Sequence, residues 1–315
     1  METLNTLQFL RFSASLLVLL FHLNLFRSGY KGVDLFFVIS GFVMYYTLFH
    51  KERPKAINFI INRVSKIFFL YWIALILLFF LSPFELNSSV LSSIFLVPGH
   101  YPLLGVSWSL SYELYFYFLI GTITYLLPKK YQKIIFYILI LISTTIIFLN
   151  LTDFTLKNTN INFLFGGNLW EFLIGLAASY FSLKYFNFFH AKTALLLALF
   201  CFLLFLIFSI EYANPITYLI YGPISFFLIV FFIIYEKNKE LNLNVSRCFK
   251  ILGDSSYSIY LFGPIVTLIM PNDSNFSKIV IILITICFSI LFNQFIEKNF
   301  LNWIKKVTLF KNKAT

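Results

Sequence analysis

Apolar runs of membrane-crossing length recur along this 315-residue chain and constrain its fold more than any other feature. A hydrocarbon core about 30 Å thick needs roughly 20 mostly apolar residues per helix. Windows of this kind fall near residues 7–26, 33–49, 67–82, 108–127, 134–151, 169–183, 193–210, 215–235, 255–270 and 279–297. A spanning chain must satisfy its backbone polar groups internally, so the expected fold is all-α: a polytopic integral membrane protein with about ten transmembrane helices in one bundle. Hydrophobic residues make up 60% of the chain and charged residues 12%, with a mean hydropathy of +0.85, more apolar surface than a soluble domain hides. The first run has no basic leader and no small-residue cleavage site, so it reads as a retained span. A single transmembrane domain over 1–315 is expected, without repeat, linker or appended soluble domain.

The formal net charge of +11 raises the question of nucleic acid, but the distribution of the cations answers it. They occupy alternate short connections: Lys51, Arg53, Lys55, Arg63 and Lys66; Lys129, Lys130 and Lys133; Lys184 and Lys192; Lys237, Lys239, Arg247 and Lys250; and the tail from Lys298. The intervening connections carry only Arg27, Lys31, Lys157 and Lys278. By the positive-inside rule both termini are cytoplasmic, the partner is the lipid bilayer, and nucleic acid is excluded. Cys201, Cys248 and Cys287 are isolated, so neither a disulfide framework nor a metal site is expected.

Within this topology the intramembrane polar residues sort into two layers. Arg11 and His22 are eleven residues apart, about 16 Å of helix rise, and eleven steps of 100° return to within roughly 20° of one face. The outer layer takes His22, Asp34 from "GVDLFFVISGF", Glu113 from "SWSLSYELYFY", and Trp170 and Glu171 from "NLWEFLIG". A histidine among three carboxylates points to acid–base chemistry. The inner layer takes Arg11, Arg63 and Lys66, with Lys250 a further candidate, and suits an anionic cytosolic ligand such as a nucleotide or pyrophosphate. Plainer readings stand beside these. Arg11 can snorkel to the interface, and His22 can serve an interhelical hydrogen bond. Asp34 and Glu113 can cap helix N-termini. Trp108, Tyr112 and Trp170 can belong to an aromatic belt, and Arg63 and Lys66 can simply fix topology.

In combination these stretches resemble the membrane acyltransferase-3 family, integral-membrane O-acyltransferases that decorate bacterial surface glycans. Arg11 and His22 look like its Arg-x10-His signature, and Gly32 to Phe42 like its second-helix motif. "NRVSKIFFLYW" is similar to its basic pair before helix 3, and "WSLSYELYFY" to its Trp-Ser-Leu-x-x-Glu motif. "LWEFLIG", "LGDSSYSIYLFGPI" and "FIEKNF" resemble later ones. Lys66 stands where arginine is commoner, Phe69 where proline is usual, and Gly263 where many members carry histidine.

The resemblance implies an enzyme of the bacterial cytoplasmic membrane with no tightly bound cofactor. The donor would be acyl-CoA, usually acetyl-CoA, and the acceptor a hydroxyl of a surface polysaccharide or its lipid-linked precursor. His22 would be the general base, with Asp34 or Glu113 orienting it. Arg11, Arg63 and Lys66 would bind the CoA phosphates, and Trp108, Tyr112, Trp170 and Glu171 the acceptor. An acyl-His intermediate also fits, whereas no GxSxG supports a serine route. The rival of another class is a glycan exporter or flippase without acyl transfer, because ten helices around a polar interior also describe a transporter. A further rival is an acyltransferase acting on membrane lipids alone.

Overall fold

The computed structural model describes residues 4–50, 54–82, 88–99, 102–152, 159–208, 215–239, 243–271 and 273–313. Lys51, Arg53 and Lys157, invoked above for topology, lie outside the described residues. Among the described residues the chain is helical, with no strand. Its helices are α1 (Asn5–His22), α2 (Gly32–Tyr45), α3 (Ala56–Leu81), α4 (Ser88–Ile94), α5 (Trp108–Leu126), α6 (Lys129–Leu151) and α7 (Thr159–Phe165). There follow α8 (Gly167–Lys184), α9 (Ala191–Ile207), α10 (Ile216–Asn238), α11 (Leu243–Asp254), α12 (Ser256–Ile269), α13 (Asn275–Phe292) and α14 (Lys298–Lys313).

Each of the ten apolar windows overlaps one of these helices among the described residues. Six helical stretches are long and apolar enough to cross a membrane: Arg27–His50, Ala56–Leu81, Lys129–Leu151, Asn160–Lys184, Ile216–Asn238 and Asn275–Ile304. Helices α9 and α12 are apolar but shorter. Helices α1 and α5 are diluted by polar residues, Gln8, Arg11 and His22 in one and Glu113 with four tyrosines in the other. Burial separates inner from outer helices. In Arg27–His50 and Asn160–Lys184, 61% of the most apolar stretch is buried, against 22% in Lys129–Leu151, so the α2 and α8 spans are central and α6 is peripheral. Phe80, Tyr137 and Leu141 protrude from α3 and α6 as the apolar exterior that lipid covers.

Close approaches of backbone hold the central helices together. A Cβ on Gly41 of α2 would stand 1.9 Å from the Phe172 carbonyl oxygen of α8, and one on Gly175 of α8 would stand 2.0 Å from that of Val38. The two glycines face each other at the crossing, the small-residue contact by which helices approach in lipid. Gly29 and Gly32 abut the Leu17 and Ala14 carbonyl oxygens of α1 in the same way. That contact seats the start of α2 against the C-terminal half of α1.

Polar anchors fix the depth of α1. Its first backbone N–H groups, orphaned at a helix start, donate to Glu236 from the end of α10, Asn5 at 2.6 Å and Thr6 at 2.9 Å. The Thr6 hydroxyl donates to the same carboxylate at 2.5 Å. At the opposite end of the bundle Lys31 corrects its reading as a loop charge: it is fully buried. Its ammonium donates to the Leu206 and Phe208 carbonyls at 3.2 and 2.7 Å, satisfying the C-terminal end of α9. The rings of Phe26, Phe205 and Tyr221 lie 5.2–5.6 Å from it.

Helix α3 starts at Ala56, well ahead of its apolar window. Arg63 and Lys66 are therefore helical residues rather than loop residues, as good helix formers with apolar stems allow. Phe69, the other departure in this motif, stacks on Phe300 of α14 with ring centroids 3.7 Å apart.

Candidate active site

The polar residues of α1 open into two cavities on the same side of the helix. The larger, about 840 Å³, takes His22 from the end of α1 and Asp34 from the first turn of α2. Trp108, Ser111 and Tyr112 of α5, Phe163 of α7, Asn168 of α8, and Thr217 and Tyr218 of α10 complete much of its wall. The smaller, about 110 Å³, takes Arg11 from α1, Ser40 from α2, Arg63 and Lys66 from α3, and Glu113 and Tyr117 from α5. Val33 and Tyr260 line both cavities and form the septum between them.

Among the described residues, no hydrogen bond or ion pair engages the His22 imidazole; its ring packs edge-on to Phe21 at 5.5 Å. A histidine inside a bundle without a partner faces the cavity with its ring nitrogens available. One Asp34 carboxylate oxygen is likewise buried without a hydrogen-bond partner. The His22 ring nitrogens, unpaired at this concavity, are open to a ligand bound there.

The smaller cavity sets three cations against one carboxylate. Arg63 donates to the Thr47 hydroxyl at 3.1 Å and lies over the Tyr117 ring at 5.5 Å. Arg11 donates to Gln8 at 3.3 Å, and Gln8 in turn donates to Asp254 at 3.3 Å. Lys66 has no hydrogen bond or ion pair among the described residues, although Arg11, Arg63, Glu113 and Glu297 act on it electrostatically. Three cations so close repel one another unless an anion joins them.

The placement of Glu113 corrects the expectation that it shares a layer with His22. It lines the cationic cavity, accepting from the Ser40 hydroxyl at 3.3 Å and from the Tyr117 hydroxyl. The helix explains the difference. Trp108 reaches the larger cavity, and Glu113 lies five residues further along α5, about 7.5 Å along the axis and 140° around. Trp108 and Tyr112 do line the His22 cavity. Trp170 and Glu171 line neither cavity. Trp170 donates its indole N–H to the Thr144 hydroxyl of α6 at 3.0 Å and fills the notch left by Gly222 of α10, so its ring is committed to packing. Glu171 is fully buried, neither carboxylate oxygen having a hydrogen-bond partner, and Asp34 acts on it electrostatically. Lys250 is exposed on α11 and lies outside the cationic group.

Several residues of the site were hidden in the sequence. Tyr257 and Tyr260 of α12 reach the cavities from inside an apolar window. Tyr257 donates to the Ile67 carbonyl at 2.9 Å, and the Tyr260 hydroxyl donates to that of Val106 at 2.6 Å, fixing the septum. Their i, i+3 spacing, which places both on one helix face, was the available signal. Behind them Asn293 donates to Glu297 at 2.8 Å and to the Asp254 carbonyl at 3.0 Å. The π-helical turn Asn293–Glu297 holds that carboxylate inward. Gly263 is no part of either wall, because it packs against Leu19 of α1.

A family model described as an acyltransferase domain, of the acyltransferase-3 type, matches residues 4–298. The exopolysaccharide production protein ExoZ of Rhizobium meliloti (strain 1021) is 32% identical over 106 residues, covering 29% of this chain. The match spans 33% of that protein's own length. No solved structure matches significantly. The family match takes in α1 through the π-helical turn before α14, and with it both cavities; the chain belongs to the acyltransferase-3 family.

Proposed function

We propose that the protein transfers an acyl group, acetyl in the simplest case, from cytosolic acyl-CoA to a hydroxyl of a surface polysaccharide or its lipid-linked precursor, in a bacterial cytoplasmic membrane. One observation carries this reading: a cationic cavity and a His22–Asp34 cavity lie end to end along α1 and share the walls Val33 and Tyr260. Phosphates of CoA satisfy the first, where Arg11, Arg63 and Lys66 repel one another until an anion arrives. The thin pantetheine arm passes the septum and presents its thioester to His22.

In the outer cavity His22 accepts the proton of the sugar hydroxyl as its oxygen attacks the thioester carbonyl carbon. The new C–O bond forms, the C–S bond breaks, and the imidazolium returns the proton to the departing thiolate, so the thiol leaves neutral. Asp34 steadies the imidazolium. Glu113, placed among the cations, organises Arg63 and Lys66 rather than orienting the base.

The relative named for exopolysaccharide production favours a glycan acceptor. The test is mass spectrometry of surface glycan from cells lacking the gene and complemented with wild type or His22→Ala. General-base loss costs about 10²–10⁴ in rate, so an alkali-labile acyl mass is expected with wild type and absent with the variant. Full esterification by His22→Ala defeats the mechanism. A defect in glycan export with no ester missing instead establishes the transporter reading.

A further inference from the structure

The two cavities differ in charge, and the difference bears on what the outer one accepts. Its described walls carry no lysine or arginine, and beside tyrosine their titratable side chains are His22 and Asp34. Of the cations near these walls in sequence, Arg27 is exposed and lines neither cavity, and Lys31 is buried with its ammonium on the α9 carbonyls, its charge acting on Asp34; Arg63 and Lys66 lie in the other cavity. What the cavity offers is aromatic faces with hydroxyl and amide groups between them. Trp108 and Tyr112 stand edge to face with centroids 5.8 Å apart, and Phe163 lies 4.4 Å from Tyr112. Tyr218 lines the cavity from α10.

The Tyr218 ring has its own built seat. A Cβ on Gly167 would fall 2.1 Å from the Tyr218 ring, so the ring lies flat on a surface that only glycine leaves open at the start of α8. Asn168, the next residue, is buried and turns into the same cavity. Aromatic faces with neighbouring amide and hydroxyl groups match the C–H faces and hydroxyls of a neutral pyranose. An anionic sugar would meet instead the carboxylate of Asp34, which lines the cavity, with no cation in the described walls to compensate the loss of its hydration.

From this we infer that the sugar unit esterified in the His22 cavity is uncharged, held by stacking on Trp108, Tyr112 and Tyr218. Glycuronic, sialic and phosphorylated units are excluded from that position even where the same glycan contains them. Tyr218 is the specificity-determining residue on the α10 side. The cavity, at about 840 Å³, is large enough to hold a neighbouring unit as well as the acceptor ring. This inference rests on the acyl-transfer reading above.

The test uses cells lacking the gene and complemented with the full-length wild type or Tyr218→Ala at equal membrane levels, with the ester mapped to individual sugar residues before and after mild alkali. The wild-type ester is expected on an uncharged residue, and Tyr218→Ala is expected to lower ester occupancy about 10-fold. An ester on a residue bearing a carboxylate or phosphate overturns the inference and leaves acyl transfer standing, a result that needs no variant. Wild-type occupancy in Tyr218→Ala overturns the role of that ring. Absence of any gene-dependent ester removes the acyl-transfer reading itself, and the inference with it.

Discussion

Replacing Gly41 with alanine adds a single methyl group at the crossing of α2 and α8. That carbon would lie 1.9 Å from the Phe172 carbonyl oxygen and 2.9 Å from its carbon, both backbone atoms that cannot rotate away. Ordinary contact begins at 3.4 Å, so the helices must part by about 1.5 Å, and overpacking of this kind costs about 1–3 kcal/mol. The displacement reaches the site because Asp34 lies seven residues from Gly41, two turns along the same face of α2. A shift of about 1 Å in a reacting geometry costs on the order of 10²-fold in rate.

Gly121→Ala is the matched control. Its added carbon meets Ile60 and Phe59 at 3.5 Å, an ordinary contact, and alanine gains up to about 1 kcal/mol of helix propensity over glycine. Thermal unfolding of detergent-purified protein and ester content of surface glycan at limiting expression read the two effects. Gly41→Ala should unfold earlier and lose most esterification, while Gly121→Ala should match or exceed wild type in stability. A Gly41→Ala protein with wild-type unfolding temperature and full ester content refutes the close-crossing argument.

Lys31→Met keeps the stem but removes two charge-assisted hydrogen bonds, worth about 1.5–3 kcal/mol each, and relieves the cost of burying an ammonium, which is several kcal/mol. The net expectation is a loss of about 1–3 kcal/mol, seen as earlier unfolding; an unchanged transition would mean that the two terms cancel. Glu236→Ala leaves the first N–H groups of α1 without their acceptor and should cost about 1–2 kcal/mol, near the upper range for a lost helix cap, read in the same assay. Arg63→Ala should raise the KM for acyl-CoA more than tenfold with little change in the acceptor KM; the opposite split reassigns the cationic cavity.

How far the site could be read from sequence depended on whether its residues lie on one element. Arg11 and His22 share α1, where the rise and turn of a helix set their separation and common face. Asp34 follows a short connection from α1, and its place in the same cavity as His22 was legible from that short connection. Glu113 and Trp170 were placed by depth alone. Depth gives the distance along a helix axis and says nothing about which neighbour the side chain meets. Glu113 turned to the cations, and Trp170 to Thr144 and Gly222. Arg63 and Lys66 were grouped correctly with Arg11 but assigned to a loop, because the apolar window begins later than the helix that carries them.

The sequence by itself determined a helical membrane protein and the residue types of its chemistry. Apolar length and loop charge act locally, against the bilayer, and need no partner helix to be specified. Only the tertiary structure decided that the polar residues divide into a cationic cavity and a His22–Asp34 cavity, that Val33 and Tyr260 stand between them, and that Tyr218 rests on Gly167. Those outcomes depend on contacts between helices far apart in the chain. In lipid such contacts are set by fitting glycines against backbone and by pairing buried polar groups, neither of which leaves a periodic trace in any one helix.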